Sequence, residues 1–166
     1  YKDGSYEMSE LDLTRKFDVN AIESLSQYKE DMVIGAIYYE GEKGWTMVKR
    51  FKIETNTLGQ KFYFIPEGIT SKLYFATHHT GSQIKITYKN GGQKEEYEFA
   101  LDEFIDVKGW KALGNKLFEG KMMKVEELSY DQPAEPQDHS PVQGDLFGGK
   151  GGDKGGKLKS GDTVEW

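Results

Sequence analysis

The segment Tyr38–Thr55 (YYEGEKGWTMVKRFKIET) constrains the fold of this chain most strongly. It reads as two strands joined by a glycine turn, which predicts a β-hairpin. The second strand carries Lys49, Arg50 and Lys52, and no acidic residue lies between Lys43 and Ile53. Since the chain has a formal net charge of −6, this basic strip requires either an external partner or nearby acidic side chains.

Turn glycines recur at Gly4, Gly41 and Gly81, with spacings of 37 and 40 residues, and each precedes a short alternating strand. Periods near 40 residues are typical of propeller-like blades or a solenoid. The Asp-Gly pair at 3–4 and the Asn-Gly pair at 90–91 predict hairpin turns. We predict strands over residues 5–12, 33–39, 45–53, 61–65, 72–77, 83–88, 95–100 and 121–128.

Composition supports an all-β fold with a sizeable core. The chain has 10 Tyr, 9 Phe and 3 Trp, and this aromatic content favours strands. It has no cysteine, which excludes disulfides and thiolate metal sites and fits a reducing, cytoplasmic location. No apolar run approaches the roughly 20 residues of a membrane-spanning helix, so we expect no membrane partner.

One segment, DVNAIESLSQYKEDM at 18–32, fits two interpretations. Asp18 could cap a helix that places Ile22 and Leu25 on one face. The same residues could instead form two strands of a blade. Periodicity leaves both alternatives open.

The organisation changes near Ser129. We predict a folded domain over 1–130 and a flexible, acidic, Pro/Gly-rich tail over 131–166, because the tail has too little apolar surface to offset its ordering entropy. Two apolar spots interrupt that tail, at 146–147 and 164–166. The chain starts at Tyr1 rather than Met, and we expect it to be part of a longer polypeptide.

Catalytic constellations are absent from the sequence pattern. His78 and His79 are adjacent, so on a strand they face opposite sides, and we interpret them as a surface or rim pair rather than metal ligands. An acidic run without a base is interpreted as a solvated face. No nucleophile, metal centre or cofactor motif stands out. The acidic run comprises Glu95, Glu96, Glu98, Asp102, Glu103 and Asp106.

Two basic groups are the candidate binding residues. On the second hairpin strand Arg50 and Lys52 share one face, while Lys49 lies on the other face, near the strand's edge, with inward-packing apolar residues. The segment VKGWKALGNKL adds lysines among glycines, whose backbone amides approach phosphates closely. Either group could also be an ordinary solvated face. The candidate DNA-contact residues are Lys43, Lys49, Arg50, Lys52, Lys108, Lys111 and Lys116.

Three passages resemble the C-terminal domain of bacterial type II topoisomerase A subunits, in a divergent lineage of DNA gyrase and topoisomerase IV. They are YKDGSYEMSEL, then GAIYYEGEKGWTMVKRFKIET followed by KFYFIPEGITSKLYF, and finally FALDEFIDVKGWKALGNKL. The passages are short, but they follow one another in the family's order. Together they cover about residues 1–128.

The resemblance implies a propeller-like β-pinwheel, here a partial ring of about two to three blades. It implies a non-catalytic domain whose basic rim contacts the backbone of double-stranded DNA and presents segments for ATP-dependent strand passage. The partners implied are the A-subunit dimer and the B subunit, with ATP and Mg expected on other domains or subunits. Lys108 to Lys116 lack the consecutive arginines of the gyrase wrapping box, so a topoisomerase IV-like role is favoured. The catalytic tyrosine lies elsewhere, and this portion should be inactive alone.

A second hypothesis remains beside DNA contact. Propeller-like folds often bind peptides, and this chain is acidic. It could therefore be a protein-interaction module that does not bind DNA.

Overall fold

A computed structural model of the protein describes residues 1–55 and 57–132. The all-β prediction is confirmed: these residues form ten strands and one four-residue helix. The elements are β1 (Ser5–Glu7), β2 (Val33–Glu40), β3 (Trp45–Lys52), β4 (Lys61–Tyr63), β5 (Lys72–Thr77), β6 (Gln83–Asn90), β7 (Gln93–Ala100), α1 (Leu101–Phe104), β8 (Val107–Lys108), β9 (Asn115–Glu119) and β10 (Met122–Ser129).

The described strands form three sheets. The largest has the order β5-β2-β3-β8, and β9 also pairs with β3. The second has the order β10-β6-β7, and β1 pairs with β4 in the third. Several sheets without a closed barrel within the described residues are consistent with a β-pinwheel-like domain. The sheets have five, three and two strands, so they are not equal blades.

The β2–β3 hairpin separates two apolar cores. Successive side chains of a strand point to opposite faces of its sheet, so each of these strands contributes to both cores. Tyr38, Met47 and Phe51 pack on one side with residues from β1 and the segment around Phe64. Val48 packs on the other side, with residues from β6, β7 and α1. Both faces of β3 are therefore covered, and a polar side chain within this strand must find its partners inside the protein.

The Asn-Gly pair at 90–91 forms a hairpin turn, as predicted. Asn90 pairs with Gln93, which leaves Gly91 and Gly92 as the two turn residues. Their φ angles are 56° and 89°. Both central residues of a type I′ turn need positive φ, which glycine adopts without strain.

The hairpin predicted at 3–4 is wrong. The strand after Gly4 pairs with a strand almost sixty residues later, with Ser5 opposite Tyr63. The carbonyl oxygen of Gly4 accepts a hydrogen bond from the amide of Phe64 at 3.0 Å. Gly4 therefore lies at a bend and a strand follows it, as predicted, but that strand pairs with β4 and not with a strand next to it in sequence.

Residues 1–32 have little regular structure. Strand β1 covers only part of the predicted 5–12, and residues 18–32 contain neither the predicted helix nor two strands. The Asp18 carboxylate accepts a hydrogen bond from the amide of Asn20 at 3.0 Å, which makes a local turn instead of a helix cap. Elements α1, β8 and β9 were not predicted.

Asp131 and Gln132 are the only residues of the predicted tail 131–166 that are described, and the Asp131 amide donates to the Thr80 carbonyl oxygen at 2.9 Å. The other residues of that prediction, including both apolar spots, lie outside the described part of the chain. The division into 1–130 and 131–166 stays a prediction. Across residues 1–55 and 57–132, no helix is long and apolar enough to span a membrane.

Candidate nucleic-acid interface

Lys49 lies inside the protein, and its predicted position near the strand's edge is wrong. The residue is 1% exposed. Its strand β3 is flanked by β2 on one side and by β8 and β9 on the other. The Lys49 ammonium donates to the carbonyl oxygens of Phe64, at 2.7 Å, and Trp110, at 2.5 Å. No bound duplex could reach this group without opening the core, so we leave Lys49 out of the proposed contact surface.

The buried environment of Lys49 changes the pKa of its ammonium group. Burial lowers the pKa of this ammonium to about 8. The two carbonyl oxygens accept hydrogen bonds from the ammonium and so satisfy two of its donors. At neutral pH Lys49 is therefore a buried cation that ties two chain segments to β3.

Arg50 is also used inside the protein. Its guanidinium donates to the carbonyl oxygens of Asp102, at 3.0 Å, and Ile105, at 3.1 Å. It also pairs with the Asp102 carboxylate at 3.1 Å. The Arg50 side chain is 13% exposed. Part of the predicted acidic run thus neutralises part of the predicted basic strip.

Another member of the acidic run also has basic partners. Glu96 on β7 pairs with Lys85 at 2.8 Å and with Lys94 at 2.9 Å. The hydrogen bond from Lys85, followed by the one from Lys94, lowers the pKa of Glu96 to about 2. Glu96 and Lys94 are exposed on β7, as the interpretation of a solvated face requires.

The segment 109–114 is held against β3 by its own backbone. The Trp110 carbonyl accepts from Lys49, and the Leu113 carbonyl accepts from the Tyr38 hydroxyl at 2.6 Å. Gly114 has a φ of 86°, and a Cβ there would collide with the Val48 carbonyl oxygen. Glycine is thus required both for the conformation and for the close approach. Two backbone carbonyls and the Trp110 ring face the core, whereas Lys111, the one lysine of this segment, is exposed.

Six exposed lysines lie along the edge of the large sheet that β8 and β9 form and around the adjoining β2–β3 turn, and we call them the lysine edge. Strand pairing places Lys108 opposite Phe51 and Lys116 opposite Met47. These partners are four residues apart on β3, about 13 Å at the rise of a strand. The lysine edge consists of Lys43, Lys52, Lys108, Lys111, Lys116 and Lys121.

Aromatic rings support several of these lysines. The ammonium groups of Lys43 and Lys116 lie 5.4 and 4.6 Å from the centre of the Trp45 ring. Lys111 lies 5.1 Å from the Trp110 ring. Lys116 also pairs with Glu119 at 3.0 Å, and the Lys108 ammonium donates to the Asn115 side chain at 2.9 Å. The arrangement offers positive charge beside flat apolar surface, which suits a phosphate backbone.

Lys121 was missed by the sequence reasoning. Two turns meet at this end of the sheet: the Gly120 amide donates to the Gly44 carbonyl, and the Thr46 hydroxyl donates to the Gly120 carbonyl. This contact brings Lys121 beside the β2–β3 turn, with its ammonium 5.5 Å from the Tyr39 ring. The only sequence signal was a Gly-Lys pair at 120–121, and it does not reveal which turn it meets.

The histidine pair does not face opposite sides, because it lies beyond the end of β5. The two rings are 4.8 Å apart. His79 contacts the Glu127 carboxylate at 2.9 Å and stacks on Tyr130 at 3.7 Å, while the buried Ser82 hydroxyl donates to Glu127 at 2.6 Å. No group of three or more potential metal ligands occurs in the part of the chain that the structure describes.

Comparison with known families identifies the class of domain. Residues 1–129 match the family model described as topoisomerase C-terminal domain, Bacteroidota. The chain belongs to this family, and it is therefore a topoisomerase C-terminal domain. No curated protein and no solved structure matches the chain.

Proposed function

We propose that this domain contacts the backbone of double-stranded DNA through the lysine edge. Within a type II topoisomerase A subunit, it would present duplex segments for ATP-dependent strand passage in the cytoplasm. The carrying observation is that six lysines along one sheet edge are exposed, although the chain as a whole is acidic. Nucleic-acid binding responds to such local charge rather than to net charge.

The use of the arginines favours a topoisomerase IV-like role over a gyrase-like one. The chain has two arginines, and both are in internal ion pairs: Arg15 with Glu7, and Arg50 with Asp102. Only lysines are left for phosphate contact, and lysine acts as a point charge without the two-pronged geometry of arginine. This supports moderate, strongly salt-dependent engagement rather than tight wrapping.

A salt titration tests the proposal. The full chain is titrated with a duplex of about 150 base pairs, one persistence length, at several salt concentrations. Each lost phosphate contact should reduce the slope of log affinity against log salt by about 0.9. We expect Lys43→Gln, Lys111→Gln and Lys121→Gln together to flatten the slope by about 2 to 3 units.

A matched variant controls for net charge. Lys2→Gln, Lys16→Gln and Lys29→Gln remove the same three charges from exposed positions in residues 1–32, outside the lysine edge. None of these three lysines has an ion pair within the described residues. Equal weakening by both triple variants, or no binding by the wild type at low salt, would refute contact through the lysine edge.

A further inference from the structure

A second surface of the domain is acidic and apolar, unlike the basic lysine edge. A groove of about 890 Å³ runs between the irregular N-terminal segment and the large sheet. Apolar side chains of Ile34, Ile53, Phe64 and Ala76 line it on the sheet side. This volume lies near the upper end of the usual range for ligand-binding clefts. The consecutive residues 5–12 line another side, so the groove follows an extended piece of chain.

The groove is acidic. Four carboxylates line it, from Glu7, Glu10, Asp12 and Glu23, and no Lys or Arg side chain does. Glu7 is neutralised by Arg15, but Glu10 and Glu23 have no ion pair within the described residues. These carboxylates repel phosphates, so a nucleic acid does not fit here.

The groove also has exposed apolar walls. Leu11 is 93% exposed and Leu25 is 73% exposed, and both line the groove. Burial lowers the pKa of His78, which also lines it, so this imidazole is uncharged at neutral pH. Apolar side chains held open beside a concave surface mark a site for a macromolecular partner.

We propose that this groove binds an extended protein segment in which Lys or Arg residues alternate with apolar residues. Successive side chains of an extended segment point to opposite sides. Its apolar side chains would contact Leu11, Leu25 and the sheet, and its cations would approach Glu10 and Glu23. This interaction is independent of the proposed DNA contact, because it uses another surface of opposite charge.

The test uses a fluorescent synthetic octapeptide of alternating Lys and Leu with the full chain. We expect saturable binding that weakens with salt, with amide shifts in NMR spectra centred on Ile34, Ile53 and Ala76. A peptide of alternating Glu and Leu should not bind. Absence of binding by the Lys-containing peptide, or shifts centred on another acidic surface such as β7, would overturn the proposal.

Matched variants localise the interaction. Glu10→Gln with Glu23→Gln should weaken binding about fivefold, because ion pairs at an exposed rim are individually weak. The control, Glu103→Gln with Asp106→Asn, removes two exposed carboxylates outside the groove and should leave the affinity within about twofold. If both pairs weaken binding equally, the peptide follows net charge, and the groove is not its site.

The apolar contribution has its own control. Leu11 and Leu13 are 93% and 92% exposed, but only Leu11 lines the groove. Leu11→Ser should therefore weaken peptide binding several-fold, whereas Leu13→Ser should not. Equal effects of the two substitutions would contradict a groove-specific contact. Duplex binding should be unchanged in both variants.

Discussion

Strand β3 and the segment 107–121 have similar basic sequences, yet the fold uses them in opposite ways. In β3, Lys49 and Arg50 direct their charges inward, to backbone carbonyls and to Asp102. In the second segment the carbonyls face inward and the lysines remain exposed. A run of basic residues is therefore a surface feature only when its strand has an uncovered face.

The two regions are physically linked. The buried ammonium of Lys49 and the hydroxyl of Tyr38 hold the carbonyls of Trp110 and Leu113. They thereby fix the backbone that carries Lys111. We regard Lys49 as a positioning residue of the lysine edge, which it supports without touching DNA. Substitutions in β3 and on the lysine edge should therefore differ in their effects on stability and on DNA binding.

The largest effect is expected for Lys49→Ala. The substitution leaves the Phe64 and Trp110 carbonyls without their donor and opens a cavity where the lysine stem packed. We expect a loss of about 4 kcal/mol in the free energy of unfolding, measured with urea. Lys52→Ala, on the same strand but exposed, should change it by less than about 0.5 kcal/mol. Similar losses for the two variants would show that the buried hydrogen bonds of Lys49 do not stabilise the fold.

The next effect is a pH dependence. With a pKa of about 8 when folded and 10.5 when unfolded, Lys49 releases its proton earlier in the folded protein. Between these pH values the unfolded chain binds more protons, so stability due to this group rises with pH. The difference in unfolding free energy between wild type and Lys49→Ala should widen by about 2 kcal/mol from pH 7.5 to pH 10. A constant or shrinking difference would contradict the assignment.

A smaller effect is expected for Arg50→Gln. It removes two hydrogen bonds to carbonyls and the pair with Asp102, which is partly exposed. We expect a loss of about 1 to 2 kcal/mol in unfolding free energy. Because Arg50 is not on the lysine edge, the salt dependence of duplex binding should not change. A flatter salt slope in this variant would return Arg50 to the contact surface.

The smallest effect on stability is expected for Lys111→Gln. An exposed lysine without an ion pair in the described structure should change the free energy of unfolding by less than about 0.5 kcal/mol. Unlike Arg50→Gln, this variant should weaken the salt dependence of duplex binding, with a slope of log affinity against log salt flatter by about 0.9. Arg50→Gln should thus change stability but not DNA binding, and Lys111→Gln should change DNA binding but not stability. An identical pattern in the two variants would remove the distinction between inward and outward charges.

The sequence predicted the elements that local rules determine. Hairpin β6–β7 follows from a turn that needs glycines, and β2 and β3 follow from alternation on either side of Gly41 and Gly44. The exposed positions of Lys108 and Lys116 were also consistent with their glycine-rich surroundings.

Long-range pairing was beyond local rules. Strand β1 pairs with β4, and β9 pairs with β3, across gaps that no turn specifies. Alternation placed Lys49 correctly on the face with Phe51, but it could not show that β3 has neighbours on both edges. Alternation also could not show that the Lys49 ammonium donates hydrogen bonds to two backbone carbonyl oxygens. The groove formed by the irregular N-terminal segment depends on the same missing information.

Lysine labelling detected by mass spectrometry, with and without duplex DNA, distinguishes the buried Lys49 from the exposed lysines in one experiment. We expect Lys49 to resist acylation in both states, because its amine is buried and bonded. The lysine edge should react when free and be protected by DNA, while Lys2, Lys16 and Lys29 should react equally in both states. Labelling of Lys49 at the rate of exposed lysines would contradict its burial, and protection at the three control lysines instead of the lysine edge would contradict the proposed DNA contact.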